Sequence, residues 1–143
     1  MSDEDDKRKH LEFLQAMTTR MNSNSFQVKA LTIAIVSGVI AVSVANKLFL
    51  LLVVLLPIVL VFWLLDSYYL QMERKILAIY KDVAGITTMH RVKRFDVPIQ
   101  EYHGGNLTYF SSFLSPAIAG LYGSIIGLLD LTLLGYLVWK GSL

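Results

Sequence analysis

The 143-residue sequence contains no cysteine, which excludes disulfide scaffolds, thiolate metal sites and thiol nucleophiles. Charge is also scarce. Asp, Glu, Lys and Arg make up 17% of the chain, against about 25% in a soluble domain. The net charge of +2 is too small to imply direct nucleic-acid binding. Catalytic constellations are missing as well. His10, His90 and His103 have no partners at metal-ligand spacing, and no H-E-x-x-H occurs. Gly104-Gly105 lacks the further glycines and the lysine of a phosphate loop, and Arg94 and His103 lie too far apart for a helical ribonuclease pair. The expectation is a protein that is not an enzyme and has no metal or cofactor. What the chain has in excess is apolar surface, at 55% hydrophobic residues and a mean hydropathy of +0.54. That argues against a soluble domain and against disorder, and for an integral membrane protein of about one domain's length.

Residues 1–28 are polar, where a secretory leader would be apolar. Ser2 followed by Asp3, Glu4, Asp5 and Asp6 reads as a helix start, with acids where the helix dipole favours them. Leu11, Leu14, Met17 and Met21 then form an apolar stripe at spacings of 3, 3 and 4. The Asn22-Ser23-Asn24-Ser25 cluster is expected to end this helix, with Asn24 or Ser25 capping the next.

Two uncharged runs follow, residues 30–46 and 48–65, bracketed by Lys29, Lys47 and Asp66. Each is long enough to cross about 30 Å of hydrocarbon. A single helix through both would be ~54 Å long, so a tight helical hairpin over residues 29–65 is predicted, with Pro57 kinking its second arm. Beyond Asp66 the apolar periodicity continues through Tyr69, Met72, Ile76, Tyr80 and Val83 until Gly85. The second span should therefore extend into the cytosol as an amphipathic helix. Leu14 and Met17 on the N-terminal helix would pack against Tyr69, Ile76 and Tyr80 as a collar. Residues 86–112 read as loop with a short helix or hairpin, completing a cytosolic segment over 66–112. Ser115-Pro116 marks the start of a third span within residues 113–143, ending near Trp139.

The fold class is thus an all-α integral membrane protein with three transmembrane helices and cytosolic amphipathic helices. Eleven of the thirteen Lys and Arg fall within residues 1–29 and 66–112, which predicts the N-terminus inside and the C-terminus outside. Trp63, Tyr68 and Tyr69 would form the inner aromatic belt, with Tyr136 and Trp139 in the outer one.

Asp130 is the sharpest feature. It lies nine residues, roughly 13 Å, before Trp139, and a carboxylate at that depth costs about 2.5–3.5 kcal/mol unless protein or water surrounds it. Ala119, Gly123, Gly127 and Asp130 share one helix face, a seam along which helices can approach closely, as in a homo-oligomeric pore. Two other readings stand beside this. Asp130 can be a protonated acid bonded to Thr132, Tyr122 or Ser43, or it can be interfacial if the span is Leu107–Leu129. Ala30, Ala34, Ser37 or Gly38, Ala41 and Ala45 form a second small-residue seam, either pore lining or plain packing. Arg91, Lys93 and Arg94 can contact an anionic ligand or lipid, or simply satisfy the positive-inside bias.

Asn24-Ser25-Phe26-Gln27-Val28-Lys29 leads into the hairpin, and Asp66-Ser67-Tyr68-Tyr69-Leu70-Gln71-Met72-Glu73-Arg74 leaves it. With these residues the chain resembles the SLATT-type small multi-pass membrane proteins over about residues 20–85. The resemblance implies two transmembrane helices running into a cytosolic helix. It also implies a membrane effector of bacterial anti-phage defence, CBASS- or retron-associated, at the inner membrane. Such effectors oligomerise and breach the bilayer when a cytosolic sensor or regulatory complex triggers them. The third span and Asp130 lie outside the common pattern. The expected function is a pore-forming, toxic effector acting as a homo-oligomer. The alternatives are a membrane anchor recruiting a soluble partner, or a small holin-like protein. Three spans without an inverted repeat argue against transport.

Overall fold

The structure, a computed structural model, describes residues 3–141. Among the described residues four α-helices carry the fold: α1 (Asp3–Asn46), α2 (Leu50–Ala84), α3 (Tyr109–Phe113) and α4 (Pro116–Gly141). Two 3-10 turns, Ile99–Glu101 and Gly105–Leu107, interrupt the stretch between α2 and α3, and no strand occurs among the described residues. Three helices, α1, α2 and α4, are long and apolar enough to cross a membrane. Ser2, read as part of the helix start, lies outside the described residues.

The Asn22–Ser25 cluster does not end a helix; α1 runs through it without a break for 44 residues. The cluster holds neither glycine nor proline, and Asn and Ser each cost no more than about 0.7 kcal/mol in a helix interior. Tertiary contacts offset that cost. Asn22 Nδ2 donates to Glu73 Oε1 at 3.4 Å, and Ser25 is buried. A break would instead leave the end amides and carbonyls of two helices without intrahelical partners.

The hairpin turn and the other boundaries fall where the sequence signals lie. Lys47, at φ 57°, takes the left-handed position after α1, and the Leu48 amide reaches back to the Ser43 carbonyl at 3.0 Å. Pro57 sits inside α2 without ending it. Gly85, at φ 82°, closes α2 with paired bonds, Gly85 N–H to the Asp82 carbonyl at 3.1 Å and Ile86 N–H to the Lys81 carbonyl at 2.8 Å. This is a Schellman arrangement, in which the positive φ suits glycine. At the start of α4 the Ser115 carbonyl accepts from the Ile118 and Ala119 amides.

The chain forms two compact units. One is Met1–Phe26 with Ser67–Ser112, and the other is Gln27–Asp66 with Phe113–Leu143. The first has a core of Leu14, Ile76, Ile79 and Tyr102, with Met17, Met21, Tyr80 and Val83 among the residues packed around it. Burying each of its aliphatic members contributes about 1.5–3 kcal/mol. The stretch after α2 is strapped across this core by side chains of α2 that donate to its carbonyls. Gln71 reaches Leu107 at 3.0 Å and Arg74 reaches Asn106 at 3.2 Å. From α1, His10 is buried with Nε2 3.1 Å from the Asp96 carbonyl.

The second unit packs its three apolar helices at helical spacings: Thr32, Val36 and Ser43 of α1; Leu52, Leu55 and Val59 of α2; Ile118, Tyr122, Ile125 and Leu129 of α4. Its outward faces are apolar as well, including Leu31, Val54, Leu60, Leu131 and Val138. A helix surface apolar on both sides matches hydrocarbon rather than water as the surrounding solvent.

Candidate functional site in the apolar helices

Two sets of contacts mark the ends of the apolar unit. At one end Trp63 stacks on Phe113 with ring centroids 4.4 Å apart, and its Nε1 donates to the Phe113 carbonyl at 3.1 Å. At the other end Phe49 stacks on Tyr136 at 3.8 Å, and the Lys47 ammonium lies 5.8 Å from the Trp139 ring centroid. Asp130 lies between them, nine residues before Trp139 and fourteen after Pro116, roughly 13 and 21 Å along the helix.

Asp130 is exposed and makes no hydrogen bond or ion pair among the described residues. The partners considered for a structural bond are engaged or buried elsewhere. Thr132 Oγ1 donates to the Leu128 carbonyl at 2.8 Å, and Ser43 is buried on the inner face of α1. Tyr122 is buried with its hydroxyl close to Thr32 and Asp66. The segment Leu107–Leu129 does not form a single helix, because α3 ends at Phe113 and α4 begins at Pro116.

The rest of the seam follows from α4's geometry. Ile118, Tyr122, Ile125 and Leu129 face inward, which leaves Gly123 and Gly127 exposed with Asp130, and Ala119 at the margin. A Cβ added at Gly123 or Gly127 would meet nothing within 4 Å. These glycines therefore serve no close contact among the described residues. The α1 seam is equally unused, since Ala30, Ala34, Ser37, Gly38, Ala41 and Ala45 are all exposed.

One polar feature of this unit carries more than its sequence reading assigned. Lys29 and Asp66, read as the brackets of the hairpin, form an ion pair, with the ammonium 2.8 Å from both carboxylate oxygens. The Asp66 side chain is fully buried and the Lys29 side chain is 27% exposed. Removing one partner of such a pair leaves a buried charge and costs about 3–5 kcal/mol. The signal was available in the spacing. Lys29 stands 18 residues before Lys47 and Asp66 stands 19 after it, so folding the hairpin at Lys47 brings opposite charges level.

In the other unit, Leu14 and Ile76 lie at the centre of the core, Met17 and Tyr80 at its edge, and Tyr69 outside it, edge-on to Tyr68 at 5.9 Å. Ile79, Tyr102 and His10 complete what the stripes alone left out. Asp82 is the main polar organiser. Its carboxylate accepts from Thr87 Oγ1 at 2.5 Å, from Tyr102 OH at 2.6 Å, and from the amides of Met89 and His90 at 3.1 and 3.0 Å. Burial pushes its pKa up, but these four bonds outweigh burial and hold it down at about 2. Burial and the neighbouring carboxylate push the Tyr102 hydroxyl above the ordinary phenol range. Of the basic stretch, Arg94 is engaged by Asp3 and Asp6, with Arg94 Nη1 3.5 Å from Asp6 Oδ2. Arg91 lines a cleft and Lys93 is not among the residues lining it. Among the described residues no group of three or more His, Asp or Glu is placed to hold a metal ion. Compared with protein-family models, curated proteins and solved structures, the chain has no match.

Proposed function

We propose that this protein is a membrane effector that assembles as a homo-oligomer and opens a pore, in the manner of the SLATT-type defence proteins it resembles. In this reading it lies in a bacterial inner membrane, N-terminus inside and C-terminus outside, silent until a cytosolic sensor or regulatory complex triggers it. It is not an enzyme and takes no cofactor. The single observation that carries the reading is the carboxylate of Asp130, exposed halfway along an apolar helix with no partner among the described residues. Hydrocarbon is a poor surrounding for that group, whereas a neighbouring subunit or a wet path is a good one. Recurring once per subunit, it would form a ring of carboxylates that favours cations. The unused small-residue faces of α1 and α4 support close contact between copies.

The test compares Asp130→Asn and Asp130→Leu with the parent for growth arrest, membrane depolarisation and oligomer size in detergent at matched expression. Asp130→Asn should insert and assemble but conduct cations less; Asp130→Leu should insert and lose activity. Unchanged toxicity in both would remove the pore. A second reading, a membrane anchor that recruits a soluble partner, is favoured by the exposed Ile86 and Met89 beside the segment that Asp82 pins. An anchor would leave cells polarised in every variant.

A further inference from the structure

The unit with the Leu14 core carries a cleft of about 480 Å³ on which nothing in the proposed pore depends. One wall is the first two turns of α1, with Lys7. The other is the end of α2 and the segment after it, with Thr88 and Arg91. Both acids that line the cleft are already engaged. Asp3 is paired with Arg94, and Asp82 accepts four hydrogen bonds. Lys7 and Arg91 are exposed and have no ion-pair or hydrogen-bond partner among the described residues, and the Thr88 hydroxyl makes no hydrogen bond there. The cleft thus presents two unengaged cations and a hydroxyl, while the charge of Asp3 is paired with Arg94 and the ionised Asp82 carboxylate is occupied by four neutral donors.

The wall bearing Thr88 and Arg91 is also preorganised. Asp82 fixes the residues on both sides of Thr88, through the Thr87 hydroxyl and the Met89 amide, and fixes His90 next to Arg91. The His90 ring is further held edge-on to Tyr102, with centroids 4.8 Å apart. A site held in its binding shape before the ligand arrives loses less conformational freedom on binding.

From this juxtaposition we infer that the cleft binds the phosphate group of a phosphate-bearing ligand. A guanidinium presents a planar fork to two phosphate oxygens, an ammonium serves as a point charge, and a hydroxyl can donate to a third oxygen. The volume exceeds what a lone phosphate fills, so the ligand has a body beyond that group. Phosphate chemistry of this kind can come from a soluble phosphorylated compound or from an anionic lipid headgroup.

The experiment uses the full chain in phosphatidylcholine nanodiscs and measures pyrophosphate binding by titration calorimetry. A parallel arm replaces part of the phosphatidylcholine with phosphatidylglycerol and measures thermal stabilisation. Saturable binding in the first arm identifies a soluble ligand, and stabilisation confined to the second identifies a headgroup. In whichever arm responds, Lys7→Ala and Arg91→Ala should each weaken the response by about tenfold, the loss of one charge-assisted contact. Arg91→Lys keeps the charge without the fork and should recover only part of it. Lys93→Ala, outside the cleft, should bind like the parent. Circular dichroism and melting temperature establish that each variant is folded. No response in either arm would overturn the site, as would equal weakening by Lys7→Ala, Arg91→Ala and Lys93→Ala.

Discussion

In the unit built from Met1–Phe26 and Ser67–Ser112, apolar side chains gather inward around Leu14, Ile76, Ile79 and Tyr102, and polar side chains hold a connecting segment across them. In the unit built from Gln27–Asp66 and Phe113–Leu143, apolar residues line the inside and the outside alike, and bulk hydrophobicity cannot tell the two faces apart. Their aspartates show the same contrast. Asp82 keeps its charge through four neutral donors, whereas Asp66, fully buried, is matched by the full charge of Lys29. The difference teaches what each surrounding demands. Beside water a carboxylate needs only orientation, but in an apolar interior it needs a counter-charge.

The largest test of that contrast is the ion pair. Lys29→Ala should destabilise the protein by about 3–5 kcal/mol, measured by denaturant unfolding in detergent micelles. Lys29→Met combined with Asp66→Leu should recover most of the loss, because no charge is then left buried. If Lys29→Ala unfolds like the parent, the pair does not hold the hairpin.

Truncating the first core comes next. Leu14→Ala should cost about 2–5 kcal/mol, whereas Leu131→Ala on the outward face of α4 should leave the unfolding free energy nearly unchanged. Placing Asp at Leu14 or Ile76 should cost at least as much, since an unpaired charge would be buried. Equal effects of Leu14→Ala and Leu131→Ala would erase the distinction between the two kinds of packing.

Acid titration probes Asp82. Its folded pKa lies below the ordinary 3.8, so its contribution is fully present above about pH 4 and is lost as the pH falls toward 2. Tyr102→Phe removes one donor to that carboxylate and should cost about 1.5–3 kcal/mol at neutral pH. Its acid-induced loss should be smaller than the parent's, because its folded pKa sits closer to the unfolded value. Melting temperature against pH for both proteins reads this directly, and superimposable profiles would detach Asp82 from Tyr102.

The smallest expected effect contrasts glycines of the two units. Gly85→Ala forces a side chain into positive φ and should cost about 1–2 kcal/mol. Gly123→Ala and Gly127→Ala meet open space and should raise helix stability by up to about 1 kcal/mol. If copies pack on that face, the same two substitutions should shift the assembly toward smaller species in detergent sizing. An unchanged oligomer would move the contact elsewhere.

The sequence alone was enough for the elements whose signals are local. The division at Lys47, the stop at Gly85 and the start at Ser115-Pro116 reappear as helix boundaries, and the stripe that continues past Asp66 reappears as the unbroken continuation of α2. Hydrophobic run length and backbone chemistry act over a few residues, so they are legible one segment at a time. The Asn22–Ser25 cluster misled because weak propensities for leaving a helix yield to contacts such as Asn22 with Glu73, fifty-one positions away. The pairing of Lys29 with Asp66, the four donors gathered on Asp82, the burial of His10 and the entry of Tyr102 into the core belong to the tertiary structure. Each depends on which faces of distant segments meet, and periodicity says only that a face exists. Asp130 joins the two levels. Composition and spacing single it out as an acid within an apolar run, but only the packing of Ile118, Tyr122, Ile125 and Leu129 decides that its carboxylate faces away from its own chain.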